Sequence, residues 1–253
     1  MKAGGLGCIR PLRWPALLGR ARELLGVPGG ETGNVSERGA DEPGGKTDWV
    51  AWHSSYSDAS SSLSRRLAVV RVRIGDVLDA VEGRGPIRIL SLCAGDGRDL
   101  LPELAARRAL RATTTLVERD DRLAAAARTA ASGLAGVQIR QGDAGDTATF
   151  RDVLPVDLLL LCGIFGNIST ADIHATVTAV PSMLATGGTV IWTRGWFAHE
   201  DLRPTIRDWF AHAGLNEVAF DCDPERFGVG VASASNEPAS KRIVPSRLFT
   251  FTR

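Results

Sequence analysis

The residues best suited to ligand chemistry follow a short apolar run, in the stretch IRILSLCAGDGRDLLPELA, residues 87–105. Gly95 and Gly97 flank Asp96 at the point where a buried strand is expected to turn into a helix. Small residues let a ligand approach the backbone, and a helix N-terminus attracts a negatively charged group. The stretch therefore predicts a ligand-binding turn at the end of a strand.

Three further strand-like runs end in residues that could contact the same ligand. The second run ends in LVERDD and places Glu118 roughly 20 residues beyond the glycine turn, where a carboxylate can bind two ribose hydroxyls. The third ends in RQGDAGD, with Asp143 in a turn, and the fourth in LCGIFGNIS. Ligands of doubly wound sheets bind beyond the carboxyl ends of the strands, so the joint placement predicts one nucleoside-type site.

The elements that position these residues alternate along the chain. Apolar runs such as VDLLLLCG indicate parallel strands covered on both faces, and helical patterns separate them. This alternation predicts an α/β, doubly wound (Rossmann-like), mostly parallel sheet. After residue 215 the alternation stops, because NEVAFDCD, FGVGVAS and RLFTFTR are three strand signals without helices between them. They predict antiparallel pairing at the C-terminal edge.

Composition divides the chain into three parts. Residues 27–47 are rich in Gly, Pro and charge, so residues 1–47 are predicted to be a flexible or loosely docked extension. Residues 48–86 carry aromatics and then apolar residues at helical spacing, which predicts an N-terminal lid or helix region. Residues 87–253 are predicted to form the ligand-binding domain.

Charge and cysteine content limit the classes of binding partner that the sequence favours. The 253 residues carry a formal charge of +1, which gives no general electrostatic footprint for nucleic acid or anionic membranes. No apolar run is long enough for a membrane span, and a cytoplasmic protein is expected. The four cysteines lack CxxC spacing, so no metal site or disulfide framework is predicted. A small-molecule partner and a monomer or homodimer are expected.

At these residues the chain, from Trp49 to Arg253, resembles the class I S-adenosylmethionine (SAM)-dependent methyltransferases. The resemblance implies a seven-stranded sheet, with RLFTFTR as its antiparallel strand, and SAM as cofactor. It implies a ribose contact for Glu118 and, for adenine, contacts from Asp143 and Ala144. It also implies a site for the methionyl group and sulfonium, formed by Cys93, Ala94, Gly95, Asp96, Gly97, Asp99, Cys162 and Gly163.

The glycine turn departs from the pattern of this family at two positions. Ser91 stands where the family commonly has an acidic residue, and Cys93 stands at the first glycine. The acidic residue commonly binds the amino group of SAM. Asp96 and Asp99 are the two alternatives for that role, and the sequence leaves the choice open.

The methyl acceptor is expected to contact segments that follow the fourth and fifth strands. The candidates are Phe165, Asn167, Trp192, Arg194 and Trp196, with His53 and His199 as weak candidates for a general base. Tyr56 belongs to an aromatic segment, WHSSY, which either folds over the pocket and faces the sulfonium or packs a leading helix onto the sheet. The sequence does not identify the acceptor or its reacting atom.

Three other functions are compatible with parts of this pattern. An NAD(P)-dependent oxidoreductase shares the acidic ribose residue, but CAGDGRDL lacks the third glycine of its fingerprint. A SAM-binding protein without catalytic activity, serving as a regulator or partner subunit, remains open. A methyltransferase that modifies adenine in nucleic acid commonly carries an Asn/Asp-Pro-Pro-aromatic motif at the fourth strand, where this chain has CGIFGN.

Overall fold

The computed structural model describes residues 56, 58, 61–83, 85–196, 200–224, 226–235 and 243–252. The predicted extension, residues 1–47, lies outside the described residues, as do His53 and His199. Contacts divide the chain after Thr47, and all described residues belong to the second unit, Asp48–Arg253.

A seven-stranded sheet forms the centre of this unit, with the order β3-β2-β1-β4-β5-β7-β6. Neighbouring strands from β3 to β5 pair in parallel, and β7 pairs antiparallel with both β5 and β6. This architecture confirms the predicted fold class. The strands are β1 Ile87–Leu92, β2 Ala112–Glu118, β3 Val137–Gln141, β4 Val156–Leu161, β5 Leu184–Gly195, β6 Asn216–Asp223 and β7 Phe227–Ser233.

Most of the helices start at short polar side chains that accept hydrogen bonds from the first free backbone N–H groups. Ser61, Asp120 and Ser169 cap the first, third and fourth helices in this way. The described residues form five α-helices, which are α1 Ser62–Val81, α2 Leu101–Ala105, α3 Asp121–Ala130, α4 Thr170–Met183 and α5 Arg203–His212. Among the described residues, no helix combines the length and hydrophobicity that crossing a membrane requires.

The central strands are buried on both faces because helices cover each side. Ile89 and Leu158 face the cluster that contains α1 and α2, whereas Leu90 and Leu159 face the cluster that contains α4 and α5. Successive strand residues point to opposite faces, so an uninterrupted apolar run such as LLLL, residues 158–161, supplies both cores. The covered faces leave the carboxyl edge of the sheet as the place for a site.

The C-terminal segment corrects one prediction. RLFTFTR was expected to be the antiparallel strand within the sheet, but β7 (FGVGVAS) occupies that position between β5 and β6. Within β7, Gly230 lies so close to the indole of Trp192 on β5 that an added Cβ would overlap it. RLFTFTR packs elsewhere, since residues 243–252 lie across the loops that follow β3 and β4. We call residues 243–252 the C-terminal strap.

Candidate functional site

A cavity opens at the carboxyl edge of the sheet, where the loops after β1, β2, β3 and β4 meet helix α1 and the C-terminal strap. Every residue expected to contact a cofactor lines it, except Gly97. The lining residues from that set are Tyr56, Cys93, Ala94, Gly95, Asp96, Asp99, Glu118, Asp143, Ala144, Cys162 and Gly163.

The glycine turn after β1 has a left-handed backbone at alternate residues. The φ angles of Cys93, Gly95 and Gly97 are 56°, 58° and 75°. A Cβ on Gly97 would lie 2.6 Å from Leu101 Cδ1 and 2.9 Å from Leu116 Cδ2, so this glycine allows α2 to pack on the sheet. Cys93 holds a conformation that non-glycine residues seldom adopt, and such strain is common at ligand-binding turns.

Glu118 ties this turn to the end of β2. Its Oε2 accepts a hydrogen bond from the Gly95 backbone N–H at 2.8 Å, and its Oε1 accepts one from the Asp120 N–H at 2.8 Å. The residue is 9% exposed and lines the cavity. Each carboxylate oxygen has a second lone pair, so Glu118 can hold the turn and still accept hydroxyl protons from a ligand.

Two aspartates of the turn have different surroundings. Asp96 is paired with Arg98, whose Nε lies 2.8 Å from Oδ1 and 3.0 Å from Oδ2. Asp99 is partly buried, and its buried Oδ1 has no hydrogen-bond partner in the part of the chain that the structure describes. Desolvation by burial raises the pKa of Asp99 to about 6. Hydrogen bonds from its own backbone N–H and that of Leu100 lower the pKa and only partly offset this rise. Asp99 is therefore the carboxylate of the turn with an open acceptor position.

Tyr56 closes the cavity on the side of α1. Its ring lies under the guanidinium of Arg98, 4.5 Å from the centroid, and its hydroxyl accepts a hydrogen bond from Arg66 Nη2 at 3.5 Å. Its backbone carbonyl accepts a hydrogen bond from Ser64 Oγ at 3.1 Å. Burial raises the pKa of Tyr56, so the hydroxyl stays protonated at neutral pH. Tyr56 is the residue of the aromatic segment WHSSY that the structure describes, and it lines the cavity.

Two cysteines form part of the wall. Cys93 and Cys162 both line the cavity, and burial raises the pKa of each thiol. Both thiols are therefore neutral and act as small, weakly polar groups. Among the described residues, no group of His, Cys, Asp and Glu side chains is arranged to hold a metal ion.

Asp143 connects the loop after β3 to the C-terminal strap. Its Oδ1 accepts a hydrogen bond from the Gly145 N–H at 2.8 Å, and its Oδ2 lies 3.0 Å from Arg247 Nη1. Phe251, also on the strap, lines the cavity. Sequence reasoning missed both strap residues. No local pattern in the sequence predicted them, because the strap approaches through a contact of the tertiary structure, where an added Cβ on Gly145 would overlap the backbone carbonyl of Phe249.

Three residues expected to face the acceptor lie in the core. Phe165, Trp192 and Arg194 are buried, and none is among the described residues that line the cavity. Trp192 stacks on Phe210 of α5 with 5.6 Å between ring centroids. Arg194 Nη1 donates a hydrogen bond to the Phe165 carbonyl. These contacts hold β5 against α5 and the loop after β4.

The other two acceptor candidates support loops near the cavity. Asn167 Nδ2 donates a hydrogen bond to the Gly163 carbonyl at 2.8 Å, and the Trp196 backbone N–H donates one to Arg226 O at 2.8 Å. Thr193, which was not singled out, does line the cavity, and its Oγ1 accepts a hydrogen bond from the Gly163 N–H at 2.9 Å. Gly163 is thus fixed from both sides.

No protein-family model matches the chain, and no curated protein sequence matches it. Solved structures do match. One is the magnesium protoporphyrin IX methyltransferase of Synechocystis PCC 6803 with bound S-adenosylhomocysteine (SAH), at 12% identity and a TM-score of 0.55. The match covers 74% of this chain and 94% of that one.

Two further matches have the same fold. An O-methyltransferase family protein from Burkholderia thailandensis is 14% identical, with a TM-score of 0.51 over 75% of this chain and 70% of that one. A putative class I SAM-dependent methyltransferase from Listeria monocytogenes is 12% identical, with a TM-score of 0.51 over 69% and 62%. The chain therefore has the fold of the class I SAM-dependent methyltransferases.

Proposed function

We propose that this protein is a SAM-dependent methyltransferase that acts on a small or medium-sized molecule. The observation that carries the proposal is a pair of carboxylates at the carboxyl edge of a methyltransferase fold, the buried Glu118 and the partly buried Asp99. Both line one cavity, and Asp99 Oδ1 has no hydrogen-bond partner among the described residues. An unsatisfied buried acceptor is costly unless a ligand supplies the donor.

The residues present fit SAM at both ends of the molecule. Asp99 would accept hydrogen bonds from the ammonium group, and Glu118 would bind the ribose hydroxyls. Asp143 with the backbone of Ala144 would bind the adenine. The two positive charges of SAM, on nitrogen and sulfur, suit a cavity with buried carboxylates and without a metal site in its described part. The related magnesium protoporphyrin IX methyltransferase was solved with SAH and with SAM bound.

When bound, SAM supplies a methyl group on a sulfonium, which is transferred to a nucleophile by in-line displacement. The chain's contribution is to orient the two reactants and to exclude water. Gly163 is held by hydrogen bonds to Thr193 and Asn167, so contacts within the chain fix the wall that it forms with Cys162. The neutral Cys162 thiol places no competing anion there, because its pKa is raised.

The residues that contact the methyl acceptor are predicted from the sequence. Phe165, Asn167, Trp192, Arg194 and Trp196 remain predicted acceptor contacts, and their burial or backbone bonding favours a supporting role. His53 and His199 remain predicted candidates for a general base, which only a protonated nucleophile needs. The absence of a basic stripe in the sequence supports a small or medium-sized acceptor.

The sheet order argues against an NAD(P)-dependent oxidoreductase. Dinucleotide-binding folds commonly have the order 3-2-1-4-5-6 in one parallel sheet, whereas β7 is inserted here antiparallel between β5 and β6. The fingerprint's third glycine is also replaced by Leu100, which is fully buried in the core. These features support an S-adenosyl ligand over a dinucleotide.

Titration calorimetry with SAM, SAH and NAD⁺ tests the proposal. We expect the full chain to bind SAM and SAH and not NAD⁺, and Asp99→Asn to weaken SAM binding. Asp152→Asn is the matched control, because Asp152 pairs with Arg140 and does not line the cavity. Incubation with SAM and candidate acceptors then separates an enzyme from a SAM-binding partner protein. Absence of SAM and SAH binding by the full chain would overturn the proposal.

A further inference from the structure

The C-terminal strap crosses the two loops that follow β3 and β4. In its middle, Arg247 forms an antiparallel bridge with Asp146, and near its end Phe251 forms one with Ile168. The Leu248 N–H donates a hydrogen bond to the Gly145 carbonyl at 2.8 Å. The strap therefore joins the loop after β3 to the loop after β4 at the cavity rim.

Buried apolar residues anchor the strap to the core. Leu248 and Phe249 are buried in the cluster that also contains residues of β4 and α4. The Leu248 carbonyl accepts a hydrogen bond from Thr176 Oγ1 of α4 at 3.1 Å. Gly145 permits the close approach, because an added Cβ would overlap the Phe249 carbonyl. All of these contacts lie within the chain, so the strap is an integral part of the wall.

Two strap side chains act on the end of the cavity that contains Asp143. Arg247 Nη1 lies 3.0 Å from Asp143 Oδ2 and also donates a hydrogen bond to Phe249 O at 3.2 Å. Phe251 lines the cavity, and its ring packs edge-on against Phe249 with 5.4 Å between centroids. One strap thus supplies an apolar aromatic wall and fixes the orientation of a carboxylate.

We propose that the C-terminal strap forms the base-binding end of the cofactor cavity, with Phe251 as the wall for the purine and Arg247 as the residue that positions Asp143. This inference rests on the proposed function, because it assigns the purine of SAM to that end. An aromatic face and an adjacent carboxylate match the two features of adenine, a flat π-surface and an exocyclic amino group. The strap is separate from the sheet and from the glycine turn.

Ligands that share the nucleoside but differ at the amino acid end test the assignment. The probes are SAH and 5′-methylthioadenosine, which has the nucleoside without the amino acid group. Phe251→Ala is expected to raise Kd by about tenfold for both, within the range of base–aromatic stacking. Phe251→Leu keeps an apolar wall and is expected to have a smaller effect. Ile243→Ala is the control, because Ile243 lies on the same strap and is 93% exposed.

Asp99→Asn, at the other end of the cavity, is expected to affect the two ligands differently from each other. It is expected to weaken SAH binding and to leave 5′-methylthioadenosine binding unchanged, because the latter has no ammonium group. Melting curves of the ligand-free variants show whether Phe251→Ala has unfolded the strap region. If it has, the ligand affinities of Phe251→Leu test the assignment instead.

Each outcome has a defined consequence. Equal weakening of both ligands by the Phe251 variants, with Ile243→Ala unchanged, supports the assignment. Unchanged affinities in folded Phe251→Ala, or weakening of SAH alone, would overturn it and leave the proposed function standing. If the unmodified chain binds neither SAM, SAH nor 5′-methylthioadenosine, both the proposed function and this assignment are overturned.

Discussion

Gly95 and Glu118 are joined by a hydrogen bond of 2.8 Å from the glycine N–H to Oε2. The bond links the turn after β1 to the end of β2, 23 residues later. Glu118 therefore has a structural function in addition to its proposed contact with ribose. Any substitution of Glu118 affects both, so an affinity measurement alone cannot separate them.

Glu118→Ala is expected to lower both stability and affinity. The buried backbone N–H of Gly95 and the partly buried one of Asp120 lose their acceptor, at a cost of about 1–3 kcal/mol. The loss of acceptors for the ribose hydroxyls is expected to weaken SAH binding by about 1–3 kcal/mol. Denaturation and calorimetry on the same preparation measure the two quantities.

A ligand without one ribose hydroxyl separates the two effects. The unmodified chain should bind SAH more tightly than 2′-deoxy-SAH, and this difference should shrink or vanish in Glu118→Ala. A difference that is the same in both proteins would show that Glu118 holds the turn without binding ribose.

Gly95→Val is expected to abolish SAM binding with a modest loss of stability. Gly95 lines the cavity with φ of 58°, a conformation that costs a β-branched residue roughly 1–2 kcal/mol, and its side chain would enter the space of the methionyl group. Gly97→Ala is the matched control, because its Cβ would meet Leu101 and Leu116 instead of the cavity. It should lower the melting temperature and retain affinity in the folded fraction. Retained SAM affinity in Gly95→Val would reduce the turn to a structural role.

Asp99 is expected to make the stability of the ligand-free protein depend on pH. Its pKa is raised from 3.8 to about 6 by burial, so the folded state favours the protonated form. The stability from this group is fully present below pH about 4 and is lost as the pH rises through about 6, by about 3 kcal/mol in total. Asp99→Asn should remove this loss. Urea denaturation of both proteins between pH 4 and 8 measures it.

The same titration predicts how SAM affinity changes with pH. An ionised Asp99 attracts the ammonium group and a protonated one does not, so affinity should fall as the pH falls below about 6, by up to tenfold per pH unit. Asp99→Asn should show a flat profile over this range. A wild-type profile that is equally flat would contradict the assignment of Asp99 to the amino group.

Deletion of residues 1–46 is expected to leave folding and SAH affinity nearly unchanged. The prediction comes from the sequence, because residues 27–47 contain few apolar side chains to bury. Melting temperature and SAH affinity of the truncated chain are the measurements. An insoluble product, or one that melts much lower, would mean that the WPALL segment is part of the core.

The sequence by itself determined the alternation of strands and helices and the residues at the strand ends. Parallel strands place their carboxyl ends at one edge of a sheet. Once the alternation of strands and helices indicated a parallel sheet, Gly95, Glu118 and Asp143 were expected to lie near each other at that edge. Their convergence follows from local sequence patterns, which can be recognised in one sequence before its tertiary contacts are known. The resemblance to a known family added the cofactor and the role of each position.

Only the tertiary structure showed that Asp96 and Asp99 have different surroundings, because these depend on which carboxylate Arg98 reaches. It also decided the position of RLFTFTR. An alternating apolar pattern specifies a strand with one buried face and does not specify its partner. Arg247 meets Asp143 across 104 residues of sequence, a contact made possible by the packing of Leu248 and Phe249 into the core. That packing brings Phe251 to the cavity, which no local pattern predicted.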